Sequence, residues 1–188
     1  MDRRVSANVA SLFFDAAVRN PGGIALAGAR GVLVPFAELA DRVERCAGGL
    51  ARLGFGAGDR AVFMLPMSTD LYVGVLGCLA VGGVAVFVDP WVSLRRIAAL
   101  AAAARARAFI GSPKSHLLRL LAPELRSIRI TITTGAVARP FARHRLDALN
   151  GSVARAGVDA DAPALITVTT GSSGAAKGVN RTHASLRA

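Results

Sequence analysis

The sequence has few of the residues on which disulfide-linked and metal-binding proteins depend. Its 188 residues include two cysteines, one tryptophan and one tyrosine. Cys46 and Cys78 lie in apolar segments without CxxC or Cys/His spacing, which favours reduced, buried thiols in a cytoplasmic protein and predicts no metal site. The apolar stretch near the N-terminus is interrupted by Asp15, so we expect no export signal.

Lysine is also scarce, although the formal net charge is +11. Only Lys114 and Lys177 are lysines among the 23 basic residues, and the arginines are scattered along the chain. A nucleic-acid-binding protein usually concentrates basic residues in a stripe with aromatic side chains, whereas aromatic residues make up 5% of this sequence. We therefore predict no nucleic-acid partner.

Charge is absent from one long segment. Residues 71–88, LYVGVLGCLAVGGVAVFV, form an uncharged run of 18 residues, which reaches the lower limit for a membrane-spanning helix. Glycines dilute this run, and VAVFV after Gly82 and Gly83 favours a strand. Together with the apolar AVFMLP at 61–66, the segment predicts a strand–helix–strand unit with parallel strands, its helix ending near Ala80. A membrane protein spanning at 71–88 remains the alternative.

The remaining pattern predicts alternating helices and strands. The spacing of apolar residues over 36–53 indicates an amphipathic helix, and the alternation of IRITIT at 128–133 indicates a strand. Residues 135–163 predict irregular structure with one short helix. We expect an α/β fold, a layered and mostly parallel sheet with flanking helices. The other predicted elements are helices over 8–19, 93–105 and 115–121, strands over 108–110 and 164–170, and a hairpin of 24–26 with 32–34.

The segment TTGSSGAAKG at 169–178 is the most informative of the chain. It places four hydroxyl side chains, three glycines and one lysine directly after a predicted strand. Glycines let successive backbone N–H groups turn toward an anion, hydroxyls add donors, and the lysine supplies a point charge suited to polyphosphate. The pattern predicts a nucleotide phosphate site at the carboxyl edge of a parallel sheet.

Two simpler explanations of this segment were weighed. A Walker loop requires glycine where Ala176 stands and serine or threonine where Gly178 stands, so that motif is excluded. A flexible linker also uses glycine and serine, but the preceding strand and the following Lys-Gly-Val disfavour it.

This loop closely resembles the signature of the adenylate-forming enzymes, which include acyl-CoA synthetases, luciferases and peptide-synthetase adenylation domains. That signature has two hydroxyl residues, Gly, Ser or Thr, Thr, Gly, any residue, Pro, Lys and Gly, often followed by a Thr-His pair, here Thr182-His183. PFAEL at 35–39, LGFGAGDR at 53–60 and GGVAVFVDP at 82–90 are similar to further family segments in family order. DPWVSLRRI and AFIGSPKSHLLRL look most like the long-chain acyl ligase branch that includes β-lactone synthetases of olefin biosynthesis.

The resemblance implies a ligase of fatty acid metabolism that works in two steps. A carboxylate, here fatty-acid-like, attacks the α-phosphate of ATP bound with Mg, pyrophosphate leaves, and the acyl group passes to a thiol, usually that of CoA. The loop would position ATP and stabilise the charge on the departing pyrophosphate. The residues carried over to phosphate binding are Thr169, Thr170, Gly171, Ser172, Ser173, Gly174, Lys177 and Gly178.

The chain departs from the family pattern at one loop position. Ala176 replaces the usual proline, which should raise the entropic cost of ordering the loop by under about 1 kcal/mol. Outside the loop, His116 and His144 have no catalytic partner set in the sequence, and we expect them to be surface or helix-packing residues.

The family implies many residues beyond those present here. We therefore expect 1–188 to be a partial AMP-binding domain, truncated just after the phosphate-binding loop, inactive alone and poorly soluble because apolar strands lose their cover. Two alternatives stay open: a non-catalytic nucleotide-binding module, or one half of a split enzyme that a complementing polypeptide completes.

Overall fold

The structure, a computed structural model, describes residues 7–28, 31–88, 94–135, 140–170 and 176–188. The helices are α1 (Ala10–Arg19), α2 (Phe36–Arg52), α3 (Thr69–Ala80), α4 (Leu94–Ala103), α5 (Pro113–Leu120), α6 (Pro123–Arg126) and α7 (His183–Arg187). The strands are β1 (Ile24–Ala27), β2 (Leu33–Pro35), β3 (Arg60–Met64), β4 (Val84–Phe87), β5 (Ala108–Gly111), β6 (Ile130–Thr133), β7 (His144–Arg145), β8 (Pro163–Thr170) and β9 (Ala176–Thr182).

The main sheet has seven strands in the order β7-β6-β5-β3-β4-β8-β9. All neighbours from β7 to β8 pair in parallel, and β9 alone runs antiparallel, beside β8. The carboxyl ends of six strands therefore meet at one edge of the sheet, which is where α/β sheets usually bind ligands. The separate pair of β1 and β2 forms the predicted antiparallel hairpin.

The uncharged run at 71–88 folds as the predicted strand–helix–strand unit. Strands β3 and β4 pair in parallel from Arg60 opposite Val84 to Phe63 opposite Phe87, and α3 connects them. The side chain of Ser68 caps α3 by accepting a hydrogen bond from the backbone N–H of Leu71. No helix in the described part of the chain is both long and apolar enough to cross a membrane.

The sheet buries both of its faces, which explains why its strands are apolar throughout. Helices α1, α2 and α3 cover one face, where Phe63 and Ile110 belong to the larger core. Helices α4 and α6 cover the other face, where Val62 and Phe109 belong to a second core. Alternate residues of β3 and β5 thus point into different cores, as the pleat of a strand requires.

Three parts of the secondary structure differ from the sequence-based expectation. Strand β9 and the four-residue helix α6 were not predicted. The short helix expected within 135–163 is wrong for the described residues of that segment, which contain the two-residue strand β7 and no helix. The segment carries Pro140, Gly151 and Gly157, and these residues disfavour a continuous helix.

Candidate phosphate-binding site

The candidate site lies at the carboxyl end of β8. The parallel pairing of β8 with β4 ends with Phe87 opposite Thr167, so the last residues of β8 extend past their neighbour. Thr169 and Thr170 are the final residues of this strand. Their backbone therefore stands at the carboxyl edge, as predicted for a ligand-binding position.

Strand β9 brings the lysine back to this edge. In the antiparallel register of β8 and β9, Lys177 lies opposite Thr169 and Ala176 lies opposite Thr170. Gly178 lies opposite Val168. The hairpin thus places the cationic residue next to the hydroxyl residues that precede the glycine-rich turn.

The structure corrects the expected extent of the loop. Lys177 and Gly178 belong to β9 rather than to an irregular loop, because the backbone from Ala176 onward pairs with β8. The predicted residues Gly171, Ser172, Ser173 and Gly174 lie outside the described residues. For Thr169, Thr170, Lys177 and Gly178 the description covers the backbone alone.

The hydroxyl residues after β5, at the same edge, already have structural partners. Ser115 donates from Oγ to the backbone oxygen of Met64 at 2.7 Å. Ser112 caps α5 by accepting a hydrogen bond from the backbone N–H of Ser115 at 3.2 Å. These side chains therefore stabilise the edge, and they are not the strongest candidates for ligand contact.

The cysteines are structural. Cys46 and Cys78 are free and fully buried, and burial raises the pKa of the Cys46 thiol to about 12. Burial likewise raises the pKa of Cys78, with a smaller contribution from Cys46. Both thiols stay protonated at neutral pH, so neither can act as a nucleophile. Among the described residues, no group of His, Cys, Asp and Glu side chains could hold a metal ion.

His116 is a packing residue, as expected. Its ring is fully buried, lies edge-on to Phe109 with ring centroids 5.1 Å apart, and places Nε2 2.9 Å from the backbone oxygen of Ile132. Burial is the main cause of its lowered pKa, and Arg119 lowers it further. His144 lies half-buried in β7, away from the hairpin.

The sequence also gave no sign of the role of His183 beyond its place in the Thr-His pair. Its side chain is fully buried, and Nδ1 accepts a hydrogen bond from the backbone N–H of Val9 at 3.1 Å. This contact joins α7 to the residues just before α1, which are 174 positions apart in the chain.

Comparisons with known proteins agree with this geometry. The profile described as AMP-binding enzyme matches residues 13–188. The olefin beta-lactone synthetase of Xanthomonas campestris pv. campestris is 34% identical over 173 residues, covering 89% of this chain and 31% of that protein. The fatty acid–[acyl-carrier-protein] ligase MmaC of Mycobacterium marinum is 29% identical over 184 residues, covering 94% of this chain and 34% of that protein.

Solved structures share the fold. The apo structure of MbtA from Mycobacterium smegmatis matches with a TM-score of 0.82 and 30% identity, covering 94% of this chain and 34% of that one. The chain therefore spans about a third of the length of these relatives.

Proposed function

The chain belongs to the AMP-binding enzyme family, and from this premise we propose that it carries the phosphate-binding part of an adenylate-forming ligase. In this reaction a carboxylate oxygen attacks the α-phosphorus of ATP, the bond to the β-phosphate bridging oxygen breaks, and pyrophosphate leaves. The observation that supports the proposal most directly is the β8–β9 hairpin, which sets Lys177 opposite Thr169 at the carboxyl edge.

The residues of the hairpin suit this task chemically. Thr169, Thr170, Ser172 and Ser173 would donate hydroxyl hydrogen bonds to phosphate oxygens, and Lys177 would neutralise charge on the β- and γ-phosphates. Gly171, Gly174 and Gly178 would leave the backbone free to approach the phosphates closely. Such fixed donors favour the transition state because charge builds on the departing pyrophosphate.

The cofactors follow from the same proposal. ATP would bring Mg²⁺ on its phosphates, since the hairpin itself contains no carboxylate. The names of the relatives favour a fatty-acid-like carboxylate as the substrate. CoA is the acyl acceptor that we propose for the complete reaction.

Nucleotide binding and complete catalysis are separate parts of the proposal. Because the 188 residues span about a third of the relatives, we propose that they form a partial AMP-binding domain that binds nucleotide but does not complete adenylation alone. The missing groups would come from further residues of the same protein or from a complementing polypeptide. A non-catalytic nucleotide-binding module would share the binding step and lack the second.

A lysine exchange tests the binding step. We expect Lys177→Ala to weaken ATP binding roughly tenfold or more, because it removes a charge-assisted contact worth about 1.5–3 kcal/mol. Isothermal titration of the purified chain with Mg-ATP measures this change. Lys114→Ala is the matched control, since the other lysine is exposed on α5, which follows a strand three spacings from β8, ~14 Å away.

Two outcomes would contradict the proposal. Equal ATP affinity of wild type and Lys177→Ala would remove the hairpin from phosphate binding. Exchange of labelled pyrophosphate into ATP by the 188-residue chain with a fatty acid would show that these residues suffice for adenylation, and would overturn the need for additional groups.

A further inference from the structure

A second cavity lies at the far side of the sheet from the β8–β9 hairpin. It is enclosed by the end of α5, by α6 and by the residues that lead into β7, and its volume is about 770 Å³. Strand β7 is the outermost strand on this side, whereas β9 is the outermost strand on the other. The cavity is therefore separate from the proposed nucleotide site.

The cavity is lined by cationic groups. Arg119, Arg126, Arg143 and His144 contribute to its wall, and no acidic residue does among the described residues that line it. None of the ion pairs between described residues involves these four side chains. The positive charges thus converge without a carboxylate to neutralise them.

Arg119 is held rigidly within this wall. It is only 7% exposed, and its guanidinium donates to the backbone oxygens of Phe141 at 3.1 Å and Leu125 at 3.4 Å. Its Nε donates to Nδ1 of His116 at 3.4 Å. A guanidinium has five N–H donors, so these three bonds fix its plane and leave two donors for another acceptor.

The helix around Arg119 has an inverted pattern that stresses its role. The sequence LLRLL buries the arginine while Leu117 and Leu121 are 50% and 71% exposed. Burying a charge is costly unless polar partners compensate. Burial and the neighbouring Arg143 both lower the pKa of Arg119, and the same two causes lower the pKa of His144.

A neighbouring cleft shows that arginine abundance alone does not produce this arrangement. That cleft is lined by Arg105, Arg107 and Arg129, but also by Asp59. Asp59 accepts from Arg107 at 3.0 Å and neutralises part of the charge. The cavity between α5 and β7 lacks such a carboxylate among its described lining residues, and this difference points to an external anion.

We infer that the cavity beside β7 binds a small organic phosphate ester, whose phosphate contacts the arginines while its organic part lies against the apolar wall. Arg126 and Arg143 are exposed and able to adjust to the ligand, whereas Arg119 is already oriented. Leu120 and Phe141 supply apolar lining. Arginine suits this role because its planar fork binds phosphate oxygens in pairs.

Phenyl phosphate is the probe for this site, and the Lys177→Ala variant is the background, so that the proposed nucleotide site contributes less. We expect saturable binding that weakens at least tenfold in the Arg126→Gln, Arg143→Gln double variant. Both side chains are exposed, so their exchange should leave the fold intact. Arg19→Gln, an exposed arginine at the end of α1, is the matched control and should change the affinity less than twofold.

The histidines report the location of binding. The chain has three histidines, so their ring protons can be assigned by single exchanges in NMR spectra. We expect phenyl phosphate to raise the pKa of His144, because a bound anion favours the imidazolium. The pKa of His183, on the opposite side of the sheet beside β9, should stay constant and serves as the internal control.

The organic and lipid forms of the ligand are distinguished by two further arms. Inorganic phosphate should bind more weakly than phenyl phosphate, and phenol should not compete. Sedimentation with phosphatidylcholine vesicles, with and without phosphatidic acid, tells a lipid phosphate headgroup from a soluble ester. No saturable binding, competition by phenol, or binding that survives the double exchange with an unchanged His144 pKa would overturn the site.

Discussion

Asn8 is a buried polar residue whose side chain joins three separate backbone segments. Its Nδ2 donates to the backbone oxygens of Leu79 at 2.8 Å and Ala156 at 3.1 Å. Its Oδ1 accepts from the backbone N–H of Ala10 at 3.0 Å. The amide thus supplies donors and an acceptor that no apolar side chain could replace.

We expect Asn8→Ala to lower the free energy of unfolding by about 2–3 kcal/mol, because buried carbonyl groups lose their donors. Urea unfolding followed by circular dichroism measures this change. Asn180→Ala, an exposed asparagine of β9, should shift stability by less than about 0.5 kcal/mol. Equal stability of wild type and Asn8→Ala would show that the network does not stabilise the fold.

The candidate residues differ in how visible they were in the sequence. The hairpin residues are consecutive, so their chemistry could be predicted, including the position at a carboxyl edge. Arg119, Arg126 and Arg143 are separated along the chain and converge because β7 pairs with β6. Composition shows only scattered arginines, and no local pattern reveals that three of them share one cavity.

At the level of elements, α2 depends on glycine for its closest packing. A Cβ atom on Gly48 would lie 2.1 Å from the carbonyl carbon of Gly151, and one on Gly49 would lie 2.6 Å from Cβ of Leu149. Gly151 itself has a φ of +148°. The helix therefore approaches the 149–151 backbone more closely than any larger side chain would allow.

We expect Gly48→Ala to destabilise the protein by about 1–3 kcal/mol, because the clash involves backbone that cannot yield easily. This sign opposes the gain of up to about 1 kcal/mol that alanine usually brings to a helix. Gly56→Ala is the control, since a Cβ there meets no atom within 4 Å. Thermal unfolding of both variants decides the matter, and a Gly48→Ala variant as stable as wild type would contradict the packing argument.

The elements with strong periodicity were predictable, and the weakly patterned ones were not. Leu39, Val43, Cys46 and Leu50 of α2 are each at most 1% exposed, as their spacing predicted. Strand β9, by contrast, reads AKGVNRT, with little of the alternation or β-branched character that marks a strand. Its pairing with β8 forms it, so tertiary context rather than local propensity decides its conformation.

The whole molecule is closed by contacts between the two ends of its described part. Nδ1 of His183 accepts from the N–H of Val9 at 3.1 Å, and Arg187 donates to the backbone oxygen of Asn8 at 3.4 Å. The bond to Nδ1 requires a neutral ring whose proton resides on Nε2, and that atom is buried without a partner among the described residues. The neutral form is therefore built into the folded state.

This arrangement predicts a loss of stability in mild acid. Burial, and secondarily Arg187, lower the pKa of His183 in the folded state, so the unfolded chain takes up the proton first as the pH falls below about 6.5. The stabilisation is complete above that pH and is lost below it, by at most about 1.4 kcal/mol per pH unit for one histidine. We expect urea unfolding of wild type to show lower stability at pH 5.5 than at pH 7.5. His183→Gln removes the titrating group, so its pH dependence should be smaller even if its stability at pH 7.5 is reduced. His116 and His144 remain in both proteins and cancel from the difference between them. Parallel stability profiles for the two proteins across this range would refute a role for His183 in acid sensitivity.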